Sequence, residues 1–151
     1  MPTFYSPDGN AEVWLDKPAE YYTSDEWAAL HPPPAPMFEI LKTNKYTDIA
    51  AARYAAETGG VMIDGALIAT DRGSQSLLTA AVVTARLDPT FKTRWKCADG
   101  RFVALDAMQL RAIGDAVTAH VEACFTREAE LCEMIEAAAT PEELAAIVWS
   151  L

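Results

Sequence analysis

Apolar positions along Val61–Leu110 change their period repeatedly, and the changes mark out a hairpin, a helix, a second hairpin and the start of a long helix. Two short apolar runs flank Asp64-Gly65, a pair that tolerates positive φ and suits a two-residue type I′ turn. Asp71 stands where a cap is needed, and Leu77, Leu78, Ala81, Val82 and Ala85 then form a helical stripe that Asp88-Pro89 ends. In the next run Phe91, Thr93, Trp95 and Cys97 alternate with Lys92, Arg94 and Lys96, so one strand face turns to a core and the other to water. Ala98-Asp99-Gly100 supplies the second turn. Asp106 and Gln109 make a capping box for a helix reaching about Ala138. Its stripe is Leu110, Ile113, Val117, Val121, Cys124, Glu128, Leu131 and Ile135, broken only by Glu128. About 30 residues at ~1.5 Å each give roughly 45 Å, more than a small sheet covers. Part of this helix is therefore expected to pack on the preceding helix, or on a second copy in a coiled coil. Thr140-Pro141-Glu142-Glu143 opens a last short helix whose Leu144, Ile147, Val148 and Leu151 can fold back.

Upstream, Thr3–Ser6 and Ala11–Leu15 read as strands around the turn Pro7-Asp8-Gly9-Asn10. Ser24 is expected to cap a short helix carrying Trp27 and Leu30. This module, residues 1–31, has too little apolar area to stand alone and is expected to dock on the main domain, another subunit or a partner. Residues 32–36, rich in proline, read as a stiff spacer. Residues 37–151 then form the main domain, opening with a helix over Met37–Thr58 that Gly59-Gly60 stops and that Thr43-Asn44 interrupts. Phe38, Leu41, Tyr46, Ile49 and Ala52 or Arg53 are its partial stripe. The expected fold is α+β: two hairpins forming a small antiparallel sheet packed on helices, a long C-terminal helix and a small N-terminal appendage.

Composition narrows the function. The chain has 151 residues, 51% of them hydrophobic, so a core is within reach. Its net charge of -10 argues against binding a nucleic-acid backbone. Residues 1–36 hold six acids and one base, so this short part is the more acidic per residue. No apolar run approaches the roughly 18 residues of a membrane span, and the first residues lack the basic and apolar regions of a signal peptide. A cytosolic location is the default. Three cysteines, Cys97, Cys124 and Cys132, lie in apolar settings without a CxxC, as expected of buried thiols.

No catalytic constellation emerges, and no cofactor or metal is expected. His120 and Cys124 lie on adjacent turns of the long helix, with Cys132 about 12 Å further along, a spacing that suits a buried face better than an ion. Thr70, Asp71, Arg72, Gly73, Ser74 and Gln75 form the most polar loop, and a helix start there could hold a small anion. Capping and turn geometry explain the same residues. Asp64 and Asp99 sit in turns that favour Asp, so they do not pair with Asp71 as acid and base. The Lys92, Arg94 and Lys96 face suits an acidic surface, or simply water.

A resemblance sharpens this. Gly59-Gly60, Asp64-Gly65, Thr70-Asp71-Arg72 with Ser74-Gln75, Trp95-Lys96 with Asp99-Gly100, and Phe125–Glu128 form a pattern spread over Arg53–Ile147. It resembles a domain of unknown function found at the C-terminus of small tailed-phage and prophage proteins, often encoded beside tail-fibre genes. The opening, "FYSPDGNAEVWLD" followed by "SDEWAALH", is similar to that of tail-fibre assembly proteins, although Glu12-Val13-Trp14 stands where they carry Gly-Phe-Tyr. The resemblance implies a phage or prophage tail protein without enzyme activity, working in the bacterial host cytoplasm during assembly or retained in the virion tail. The first expectation is a chaperone-like assembly factor whose Phe4, Tyr5, Trp14, Tyr21, Tyr22 and Trp27 bind the fibre, since aromatic anchors dominate interfaces. The alternatives are a structural tail component that self-associates through the long helix, and a small-ligand or anion binder acting through Thr70–Gln75.

Overall fold

A computed structural model of the chain describes residues 1–14, 16–31 and 35–151, with Ala35 and Pro36 described by backbone alone. Two compact units are present, Met1–Leu41 and Lys42–Leu151.

In the first unit β1 (Thr3–Tyr5) lies between β2 (Ala11–Val13) and β3 (Tyr22–Thr23), both antiparallel to it. The turn expected at Pro7–Asn10 is closed by Ser6, whose carbonyl accepts from Gly9 N–H and whose hydroxyl accepts from Asn10 N–H. Helix α1 (Ser24–Leu30) follows directly. Its cap is Thr23, not Ser24. Only from Thr23 does a Glu fall three places on, and Glu26 closes a capping box by accepting the Thr23 N–H. Leu15 and Pro32–Pro34 lie outside the described residues, and with them most of the expected spacer and the end of the second strand. Ala35 and Pro36 are not spacer: they open α2 (Ala35–Thr58), where a proline in the first turn loses no intrahelical bond.

Helix α2 runs through Thr43-Asn44 without interruption. Its residues from Lys42 onward belong to the second unit. There the chain forms the hairpin β4 (Val61–Ile63) and β5 (Ala66–Ile68), α3 (Arg72–Leu87), the hairpin β6 (Lys92–Lys96) and β7 (Phe102–Asp106), then α4 (Ala107–Ala137) and α5 (Pro141–Ala146). The α+β class is as expected, but the hairpins are two separate two-stranded sheets and not one. A backbone bond from Ala98 N–H to Leu67 C=O, 2.8 Å, ties them end to end. Asp64 and Gly65 both have positive φ, as the type I′ turn requires.

The core lies between α3, α4 and the hairpins. Ile68, Leu78, Ala85, Leu105, Leu110 and Val117 are buried in it, with Trp95 and Val103 packed against them. Leu77, expected inside, is 67% exposed. It is 100° of helix away from Leu78, so only one of the two can face α4. Helix α3 comes so close to α4 that a Cβ on Gly114 would lie 2.6 Å from Val82 Cγ2. Further along α4, Cys124, Leu131 and Ile135 are buried, as are Ile49, Leu144 and Ile147. The C-terminal segment returns along this region: Lys45 Nζ donates to the Ile147 carbonyl and Arg127 Nε to that of Ser150. The long helix is thus covered by its own chain over much of its length, and among its outward side chains are Met108, Phe125 and Met134.

Candidate functional site

A group of polar residues in the second unit converges on Glu57, whose side chain is 2% exposed near the end of α2. Four elements supply its surroundings. Arg53, one turn earlier, donates through one guanidinium nitrogen to Glu57, and through Nε to Glu128 Oε2 on α4 at 2.9 Å. Arg72, the first residue of α3, places a guanidinium nitrogen 3.3 Å from Glu57 Oε1. Gln75 Nε2 lies 3.5 Å from the same oxygen and donates to the Thr70 carbonyl at 2.7 Å. Thr70, fully buried, accepts from Gly60 N–H through its hydroxyl. Glu128, the single polar break in the stripe of α4, is thereby explained: it faces Arg53 and not the core.

Two positive and two negative charges balance in this cluster, as burial demands. Burial works against the Arg53 charge, but the bonds and charges of Glu128 and Glu57 outweigh it and hold its pKa above the ordinary arginine value. Arg53 also lies over the Phe125 ring, 4.5 Å to the centroid, and 6.0 Å from that of Tyr54. Both rings are about half exposed.

The loop Thr70–Gln75 is held by its own bonds. Asp71 caps α3, accepting from the Ser74 N–H and hydroxyl, and these bonds hold its carboxyl below the usual range. Thr70, Arg72 and Gln75 reach inward as described. The groove between α3 and α4, about 310 Å³, starts beside Gln75 and has Leu78, Val82, Gly114 and Val117 among its lining residues.

His120 donates from Nε2 to the Ala56 carbonyl at 2.9 Å, and Cys124 Sγ lies 3.9 Å from the same nitrogen. Burial, then the nearby Glu57 charge, push the Cys124 thiol up, away from the thiolate that metal binding or nucleophilic attack needs. Among the described residues no group of three or more His, Cys, Asp or Glu side chains is placed to hold a metal. Cys97 and Cys124 are buried thiols; Cys132 is only half buried.

Of the other family-pattern residues, Asp64 and Gly65 form the first turn, and Trp95 packs on the core. Asp99 sits in the second turn, where it accepts from the Arg101 N–H and Nε, and Gly100 takes the positive φ there. These positions are separate from the Glu57 cluster in role: they shape hairpins. Sequence reading missed the cluster because Arg53, Glu57 and Glu128 are unremarkable alone. The one signal was Glu128 in an apolar stripe.

In the first unit, five of the six candidate aromatic residues fall into two groups. Phe4 is buried in the small sheet. Trp27 is the hub of a cluster: Tyr5 and His31 stack on it at 5.4 and 3.7 Å between centroids, and Tyr22 packs tilted at 5.7 Å. Trp14 and Tyr21 stand edge to face at 6.1 Å, and both donate to Glu12 Oε2. Trp14 is 45% exposed. The burial of Phe4 removes it from the candidate contact surface; Trp14 is exposed, and Tyr5, Tyr21, Tyr22 and Trp27 are half-buried.

Residues 40–148 match the domain of unknown function DUF4376. The chain belongs to the DUF4376 family. The match covers more than two thirds of the chain and takes in the hairpins, α3, α4 and the whole Glu57 cluster. Comparison with curated proteins and with solved structures gave no match. In this DUF4376 domain the polar residues around Glu57 are engaged with one another, while the first unit carries the exposed ring of Trp14. No helix among the described residues is long and apolar enough to cross a membrane.

Proposed function

We propose that this DUF4376 protein is a non-enzymatic phage or prophage tail protein, acting as a chaperone-like assembly factor that binds a tail fibre or another tail protein. The observation that carries the reading is the aromatic surface of the first unit. Tyr5 and Tyr22 pack against Trp27, and Trp14 packs edge to face on Tyr21. Rigid aromatic side chains give large contact area at low entropic cost, which is why they anchor interfaces. The similarity of this opening to that of tail-fibre assembly proteins gives the partner class, and the host cytoplasm is the place where such a factor would act.

The test is capture of the fibre by tagged chain from a co-expressing cell. Trp14→Ala, at an exposed ring that is not part of the Trp27 stack, is expected to weaken capture while leaving the fold intact. Equal capture by wild type and variant, or none by wild type, would remove the reading. The second reading, a structural tail component that self-associates, draws on the outward Phe125 and Met134 of α4. It requires the chain to be present in purified particles. Ligand binding at Thr70–Gln75 is the weakest of the three, because the polar groups of that loop are already bonded within the cluster.

A further inference from the structure

We propose that the outward face of the β6–β7 hairpin is a docking surface for the acidic N-terminal unit of a second copy of this chain. The inference goes beyond the fibre-binding reading and stands without it.

The two-residue period of the strands builds the face. Lys92, Arg94 and Lys96 point away from the core and are exposed. Opposite them in register lie Asp106, Ala104 and Phe102. Asp106 is occupied as the cap of α4, accepting from Gln109 N–H at 2.8 Å. None of the three cations takes part in an ion pair among the described residues. Phe102 is 65% exposed, and Lys96 Nζ lies 6.0 Å from its ring centroid. Three unpaired positive charges at spacings of about 7 Å thus sit beside an exposed ring, on a chain whose net charge is -10.

The complement is carried by the same chain. Residues 1–31 hold six acids against one base. Glu26 is paired with Lys17 at 2.5 Å, and Glu12 accepts from Trp14 and Tyr21. Asp8, Asp16, Glu20 and Asp25 are exposed and take no part in an ion pair among the described residues. Val13 and Trp14, both exposed, offer apolar partners to Phe102. Each copy presents both surfaces, so reciprocal exchange closes into a two-fold pair and leaves no free end. A nucleic acid would meet the same cations but also the net negative charge of the whole chain, which favours a protein acid segment.

Exposed ion pairs are individually weak and screened by salt, so the association is expected at low ionic strength and high protein concentration. The experiment is sedimentation equilibrium of the full chain across ionic strength. Wild type should form a dimer at low salt that dissociates as salt rises. The variant Lys92→Glu/Arg94→Glu/Lys96→Glu should lose about tenfold or more in association constant, with an unchanged circular dichroism spectrum. Mixing it with Asp16→Lys/Glu20→Lys/Asp25→Lys should restore association as a heterodimer. If either variant fails to fold, zero-length carbodiimide crosslinking of isotopically light and heavy wild-type copies decides. Inter-copy links from Lys92 or Lys96 to carboxylates of residues 1–31 support the proposal, and their absence overturns it. A wild type that is monomeric at every concentration and salt overturns it too, as does self-association that the triple reversal leaves unchanged. Monomeric mass combined with binding of a DNA oligomer that the reversal abolishes overturns it in favour of a nucleic-acid face.

Discussion

Arg53 Nε donates to Glu128 Oε2 at 2.9 Å, joining α2 to α4 across 75 residues of sequence. The same guanidinium holds Glu57 and lies over Phe125. One side chain therefore pairs with two carboxylates, one of them fully buried, and links the two helices.

Removing Arg53 leaves Glu57 buried with only the longer contacts to Arg72 and Gln75. Arg53→Ala is expected to cost roughly 3 kcal/mol, the lower end for breaking a buried pair, because Arg72 remains and Glu128 can turn to water. Arg53→Lys should recover only part of this, since a single ammonium cannot reproduce the fork that reaches both carboxylates. Urea unfolding midpoints at neutral pH measure both. A loss below about 0.5 kcal/mol for Arg53→Ala, the range of ordinary surface changes, would show that the cluster does not hold the helices.

Gly114 is needed for the approach of α3 to α4. A Cβ there would meet Val82 Cγ2 at 2.6 Å, and valine has no flexible end to withdraw. Gly114→Ala is expected to destabilise by about 1–2 kcal/mol, overpacking outweighing the gain of roughly 1 kcal/mol in helix propensity. Val82→Ala in the same chain should turn the alanine at 114 from unfavourable to favourable. A double-mutant cycle by thermal unfolding measures the coupling, and additive effects would contradict the contact.

Stability should fall on the acid side through named carboxylates. The hydroxyl and N–H of Ser74 hold Asp71 below its usual range, and the N–H and guanidinium of Arg101 do the same for Asp99. A carboxyl whose folded pKa is depressed binds fewer protons folded than unfolded. Its contribution is present above the unfolded value of about 3.9 and is lost as pH falls through the lower folded value. Asp71→Ala should flatten the stability curve in that acid window and lower the plateau at neutral pH, where the cap of α3 is gone. Unfolding midpoints from pH 7 down to about pH 2.5 test this; a curve parallel to wild type would contradict it.

The thiols should be slow to react in the folded chain. Burial, then the Glu57 charge, raise the Cys124 pKa, and burial, then Glu128, raise that of Cys132. For a thiol, a raised folded pKa favours folding below the unfolded value of about 8.5 and loses that contribution as pH rises through the folded value. Alkylation followed by mass spectrometry at neutral pH should label half-buried Cys132 before buried Cys124 and Cys97. Rapid labelling of Cys124 would contradict the packing around His120.

Much of the second unit was legible because its elements are periodic and capped. The stripe of α4, the alternation in β6, the box at Asp106 and the cap at Thr140 are local patterns, and the structure follows them. The misreadings are of a different kind. Ser24 and Thr23 are adjacent cap candidates, and only the reach of Glu26 decides between them. Leu77 and Leu78 compete for one face, and the position of α4 decides. The Glu57 cluster joins residues 53, 57, 72, 75 and 128, which no window of sequence brings together. Glu128 signalled that something polar faced it, but periodicity carries no information about which residue that is.

We propose that the aromatic first unit engages a tail protein. The most direct measurement is the yield of soluble, trimeric fibre when the fibre gene is expressed with wild-type chain, with the Trp14→Ala chain and with neither. The yield is expected to be higher with wild type than with the variant or with no partner. An equal yield in all three would contradict it.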